Sequence, residues 1–452
     1  MRKVLPALLG LSLCNVCLCS VAKAEDLLQI YDMAVVSDPT LRESEQTLFA
    51  TRESKPQARS LLLPTLSVSG GAQYQDVDSS GHSTNGFAFD RQDDYGTQNV
   101  TAVIQQSVYS RANWLGLKQS DNIIAQAEAE FRNSQIDLMV RTTEAYFDVL
   151  RASDAVTVQE AFLRANERQL EQSKQRFEVG LVAITDVNES QAAYDSARAE
   201  LITAKNSLNN AWEALRTIVG QVNVPLARLG DKLPLAPPEP NSLETWAETA
   251  IRSNYGIIAA SEAANSAKQE IAIQRSGHLP TVDLEAGYDL TRSDAKYDTD
   301  SDTAYVGLTV NVPIFQGGAV TSRTRQAGYQ FRAAQDRLDQ TRRTVNQQVR
   351  DSFRGILSSI EDVKARQAAI VSARSALEST QAGLEVGTRT QVDVLNAQRN
   401  LFQAEYDYLS ARYNYIINGI KLHQATSTLS RDVLAKGNAW LNPGDLVPPP
   451  AY

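Results

Sequence analysis

Beyond residue 19 the chain contains no cysteine: Cys14, Cys17 and Cys19 all fall within its first twenty residues. The remainder must hold together by burial, pairing or assembly rather than by disulfides. It also lacks any apolar run approaching the ~20 residues of a membrane-spanning helix. A membrane crossing would therefore have to be a β-barrel. Positive charge is scarce as well. Once Arg2, Lys3 and Lys23 are set aside, 41 basic residues face 53 acidic ones, a net charge of -12, which argues against a nucleic-acid partner. His82, His278 and His423 are scattered, and no metal spacing, nucleophile motif or phosphate loop occurs. No enzymatic activity, metal or cofactor is expected. Proline is missing between Pro64 and Pro225 and again between Pro313 and Pro443, so uninterrupted long helices are permitted there.

The N-terminus carries Arg2 and Lys3, a mostly apolar stretch from Val4 to Leu13, and the small-x-small site Ala22-Lys23-Ala24. Residues 1–24 are read as a secretory signal peptide, with the mature chain starting at Glu25. Leu13, Val16 and Leu18 are too large for a lipid-attachment site before the cysteines.

One pattern occurs twice. "FEVGLVAITDVNESQ" from Phe177 returns as "LEVGTRTQVDVLNAQ" from Leu384, an offset of 207. "LPTLSVSGG" from Leu63 answers "LPTVDLEAG" from Leu279, and "VTAVIQQSVY" from Val100 answers "VGLTVNVPIF" from Val306. A duplicated unit follows, with repeats at 25–224 and 243–425 and a proline-rich connection over 225–242 containing "PLAPPEP". Each repeat reads helix–strand–strand–helix–helix. The heptad series Val149, Val156, Leu163, Leu170, Phe177 and its counterpart Ile356, Val363, Ile370, Leu377, Leu384 indicate coiled-coil helices. Long helices are expected at about 111–177, 184–219, 318–384 and 391–425. The first would be ~100 Å long at ~1.5 Å per residue, too long to lie within a ~30 Å bilayer core.

Strands are expected at about 64–75, 97–109, 280–291 and 303–315. In "TVDLEAGYDL" the residues Val282, Leu284, Ala286, Tyr288 and Leu290 share one face, with Asp283, Glu285 and Asp289 on the other. This dyad alternation is that of a barrel with a lipid-facing outside, although a sheet packed on a core alternates in the same way. Four strands cannot close a barrel; three chains would supply twelve. The strand-joining segments Gln75–Gly96 and Thr291–Asp302 are polar and acid-rich and are read as loops. The tail, 426–452, is assigned either to packing on the body or to disorder.

"FEVGLVAITDV", "GHLPTVDL", "VPIFQGG", "VGTRTQVDVL" and "ARYNYIINGIKL" resemble the TolC family of outer-membrane channel-tunnel proteins over nearly all of the mature chain. The resemblance implies a mostly α homotrimer. Four strands per chain form a 12-stranded outer-membrane β-barrel, continued by a long α-helical coiled-coil barrel through the periplasm of a Gram-negative bacterium. It implies an exit duct for tripartite efflux pumps or type I protein secretion. The implied partners are a periplasmic adaptor (membrane fusion) protein, an inner-membrane RND or ABC transporter and outer-membrane lipid.

Site roles follow from the same resemblance. Asp393 lies at the gate constriction, with Asn396 where a second aspartate is often found. Arg389 matches a latch partner of Asp186, while Leu384 replaces a tyrosine that bonds to the position of Thr185. The tip segments Val179-Gly180-Leu181 and Val386-Gly387-Thr388 are expected to contact the adaptor. From the residues alone, Gly180 and Gly387 suit a positive φ after a helix. Thr185, Asp186 and Asp393 are candidates for capping the next helix. A periplasmic adaptor or a coiled-coil structural protein is the alternative, but neither would need this corner twice.

Overall fold

Apolar residues on a seven-residue period, with no proline to interrupt them, produce helices of unusual length. The computed structural model describes residues 25–450, apart from 83, 223 and 295–299. Residues 1–24, read above as a signal peptide, lie outside the described residues with their cysteines. Helix α4 runs over Arg111–Glu178 and turns into α5, Ile184–Val219. Helix α8, Ala319–Glu385, turns likewise into α9, Gln391–Ala425. At 68 and 67 residues, α4 and α8 are each about 100 Å long. Val149, Leu170, Ile356, Val363 and Leu401 are buried in the seams. Ala197 and Ala411, also buried, let helix backbones approach closely.

The N-terminal halves of α4 and α8 pack against shorter helices. These are α1 (Leu27–Ser37), α2 (Pro39–Arg52) and α3 (Ser54–Ser60) before the first hairpin, and α6 (Leu243–Ser253) and α7 (Tyr255–Arg275) before the second. Between them and the long helices lie β1 (Thr65–His82) and β2 (Ala88–Tyr109), then β4 (Thr281–Ser293) and β5 (Ser301–Asn311), where β3 is Leu226–Leu229 in the connection.

The four long strands form one antiparallel sheet in the order β1-β2-β4-β5. Register aligns Ile104 with Leu66 on one side and Ala286 on the other, and Ala286 with Val306, so one face is an apolar band. Leu66, Val68, Val306 and Leu308 on that band are all more than 60 % exposed. Among the described residues, no layer covers it.

The structure corrects several expectations. Residues 76–82 and 88–96 are strand rather than loop, paired from Asp76 opposite Asp94 outward. Polar side chains do not prevent a ladder when both faces meet water. β5 begins at Ser301 and stops at Asn311 instead of spanning 303–315, because Pro313 has no N–H to offer. The proline-rich connection does contain a strand: β3 pairs antiparallel with β6, Leu441–Val447, in the tail. The tail is folded: helix α10, Arg431–Asn438, buries Leu434, and β6 buries Val447. Asn438 accepts from Leu27 N–H at 2.9 Å and donates to Asp26 at 2.8 Å, fastening the tail to the first helix.

These short elements build a layer on the side of the long helices, about midway along α4. Its core contains Leu27, Ile30, Tyr146, Phe147, Leu150, Trp212, Leu215, Leu226 and Leu422. Tyr146 donates to Ala227 O at 2.8 Å, and Tyr413 to Asp154 at 2.5 Å. The two hairpins are therefore joined through a hydrogen-bonded core at this level.

Candidate functional site

Both recurrent corners form the same helix end. At the first, Gly180 N–H donates to Phe177 O (2.9 Å) and Leu181 N–H to Arg176 O (2.8 Å). At the second, Gly387 N–H donates to Leu384 O (3.2 Å) and Thr388 N–H to Gly383 O (2.8 Å). This is the Schellman arrangement, which needs a left-handed residue after the helix. Gly180 and Gly387 both have φ 77°. No atom stands within 4 Å of where a Cβ would be, so backbone conformation alone selects glycine here.

The return helices start differently. α9 opens with a reciprocal capping box. Thr390 Oγ1 accepts from Asp393 N–H at 3.2 Å, and Asp393 Oδ2 accepts from Thr390 N–H and Oγ1–H, both at 2.9 Å. Asp393 is thus the third helical residue and Thr390 the cap. The donors of Thr390 hold its carboxyl below the usual aspartate value, with Arg389 adding to the effect. α5 opens on Ala183 with no side-chain cap. Thr185 and Asp186 do not cap it as expected; Asp186 sits in the first turn, where its charge faces the positive end of the helix.

Asn396 lies one turn after Asp393 and is exposed. Arg389 folds its stem over Gly383, where a Cβ would come within 2.6 Å of its Cγ. Among the described residues, no ion pair or hydrogen bond within the chain joins Arg389 to Asp186 or Thr185. Val179, Leu181 and Val386 are 70–75 % exposed at the tips, an apolar surface with no cover of its own.

The sequence reading missed a buried polar seam just above the tips. Ser173 of α4 and Ser190 of α5 are 3.0 Å apart, Gln391 of α9 donates to Ser190 at 3.1 Å, and Gln169 donates to Gln391 at 3.1 Å. Ser173, Ser190 and Gln391 are all buried. Asn166 and Gln398, one heptad from Ser173 and Gln391, are buried too, and among the described residues the Gln398 amide nitrogen has no partner. The available signal was polar residues on seam positions of the heptad, Asn166–Ser173 and Gln391–Gln398.

The family described as Outer membrane efflux protein matches residues 30–221 and 246–428. The chain belongs to that family. It is 37 % identical to the Outer membrane protein TolC of Escherichia coli K12, over 98 % of this chain and 90 % of that protein. It is also 37 % identical to TolC of Vibrio cholerae, over 98 % and 99 %. Proteases secretion protein PrtF of Dickeya chrysanthemi is 28 % identical over 94 % of this chain and 93 % of its own. Among solved structures, the Campylobacter jejuni CmeC outer membrane channel superposes with a TM-score of 0.75 at 14 % identity, covering 92 % of this chain and 89 % of that one. The Vibrio cholerae outer membrane protein VceC gives 0.73 at 20 % identity, over 88 % and 95 %. These two establish the shared fold.

Proposed function

We propose that this protein is an outer-membrane exit duct for efflux and type I secretion, built from three copies and gated at its periplasmic tips. The observation that carries the reading is the sheet β1-β2-β4-β5. It has an uncovered apolar band on one face, Asp283, Glu285 and Asp289 on the other, and both edge strands free. In three copies, β5 of one protomer pairs with β1 of the next and twelve strands close around a polar lumen. The two halves of the chain, 25–224 and 243–425, derive from one duplicated unit. The long hairpins then continue the lumen into the periplasm, and the layer of β3, β6 and the short helices encircles them from outside.

Asp393 and Asn396 form rings at the constriction, and the exposed Val179, Leu181 and Val386 with Gly180, Gly387 and Thr388 receive a periplasmic adaptor. Arg389 finds Asp186 across the subunit boundary rather than within its own chain. The hairpins part along the polar seam of Ser173, Ser190 and Gln391 when the gate opens. A seam closed by hydrogen bonds can exchange them for water at little net cost, which an apolar seam cannot.

The test is single-channel conductance of the detergent-purified protein in a planar bilayer. Small cation-preferring steps are expected, with weak block by multivalent cations. Asn396→Asp adds a second carboxylate ring and is expected to strengthen the block. Unchanged block would remove this pair from the gate, and absence of any channel would overturn the duct.

A further inference from the structure

Where α4 leaves the sheet, its surface turns basic in a chain that is otherwise acidic. Lys55 of α3 and Arg111, Trp114 and Lys118 of α4 line a groove of about 560 Å³, together with Asp121 and apolar stems. Lys55 is paired with Asp121 at 2.7 Å. Arg111 and Lys118 are exposed and, among the described residues, have no carboxylate partner within the chain. Trp114 is 54 % exposed beside them. The α3–α4 junction is fixed by Asn113, which donates to Leu61 O at 3.0 Å. Leu61 and Leu63, just before β1, are 58 % and 49 % exposed.

Height and side both matter. The apolar band of β4 runs from Val282 to Leu290, about 26 Å at ~3.3 Å per residue, close to the ~25 Å band of outer-membrane barrels. Val282 pairs with Tyr109 at the lower edge of the band, and α4 starts two residues later. Arg111 therefore sits at headgroup level, and Lys118 about 10 Å below it. Side chains on a helix lean toward its N-terminus, so Lys118 and Trp114 lean back toward the bilayer. Trp114, Leu61 and Leu63 make an exposed apolar surface at this level, which suits a boundary with lipid and not a water-filled lumen. The groove is therefore placed on the outer side, directly beneath the lipid-facing surface.

We infer that this groove is a binding site for the phosphate headgroup of an anionic phospholipid in the periplasmic leaflet, with Arg111 and Lys118 taking the charge and Trp114 packing at the interface. The inference rests on the membrane placement proposed above. Lys55 is largely neutralised by Asp121 and positions the short helix.

The test uses the full-length protein in nanodiscs containing equal phosphatidylglycerol and phosphatidylethanolamine, with lipid retained through purification counted by native mass spectrometry. Wild type is expected to enrich phosphatidylglycerol, less so at high salt. The double variant Arg111→Gln, Lys118→Gln is expected to lose the preference, at about fivefold per cation and about 25-fold for both. Its channel conductance should be unchanged. The control Lys174→Gln, Lys205→Gln, far down the hairpins, should retain phosphatidylglycerol as wild type does. Equal retention by the double variant, equal loss by the control, or displacement by millimolar inorganic phosphate would overturn the lipid site while the duct stands. A wild-type protein that does not insert would overturn both.

Discussion

Asp38 caps α2 through Leu41 N–H at 2.8 Å, and its side chain is only 2 % exposed. Burial pushes its carboxyl up, but Arg141, donating at 2.9 and 3.2 Å, and Leu41 outweigh burial and hold it below the usual aspartate value. The stability this confers is present above pH ~3.9 and is lost as pH falls through the lowered value. Arg141→Ala strands the carboxylate and is expected to cost about 3 kcal/mol, the low end for a broken buried pair, since Arg141 keeps 29 % of its side chain exposed. Chemical denaturation in detergent measures it; a loss under about 1 kcal/mol would mean that water replaces the guanidinium. At the tip the scale of energy is smaller. An exposed ion pair gives ~0.2–1 kcal/mol, so the three Arg389–Asp186 contacts proposed between subunits would hold the gate lightly. Arg389→Ser is expected to raise conductance in the planar bilayer. A channel that stays as closed as wild type would exclude a latch at this residue.

Among the elements, the long hairpins were legible because proline-free spans and a seven-residue period act locally and repeat. The corners were legible for a similar reason: only glycine accepts φ 77° without strain. The cap of α5 was misjudged because Thr185 and Asp186 lie just inside the helix, where identity alone does not fix the boundary. The polar seam was invisible as a unit. Ser173, Ser190 and Gln391 come from three helices, and nothing in the sequence says that they meet. Ser190 is its hub, so Ser190→Ala leaves the buried amide donor of Gln391 without its acceptor and the Ser173 hydroxyl without its partner. The expected cost is about 1–3 kcal/mol, felt where the two hairpins join, and the closed state should open more often. Single-channel recordings with no more openings than wild type would show that the seam does not hold the gate.

For the whole molecule, the sheet is the part that cannot stand alone. Among the described residues, its two edges, β1 and β5, present unpaired backbone groups, and its apolar band has no cover. Such a sheet is completed by neighbouring copies and lipid. Size-exclusion chromatography with light scattering in detergent is therefore expected to show three copies. A stable single copy with its strand content intact would overturn closure by edge pairing.

The sequence by itself determined the long helices, the two glycine corners, the alternating strands and the family, because each is set by residues near one another in the chain or by their fixed spacing. Tertiary structure alone decided that the tail pairs with the proline-rich connection and that Gln391 reaches Ser190 across 201 residues. Each of these depends on partners brought together from distant parts of the chain, and local pattern carries no information about which partners those are.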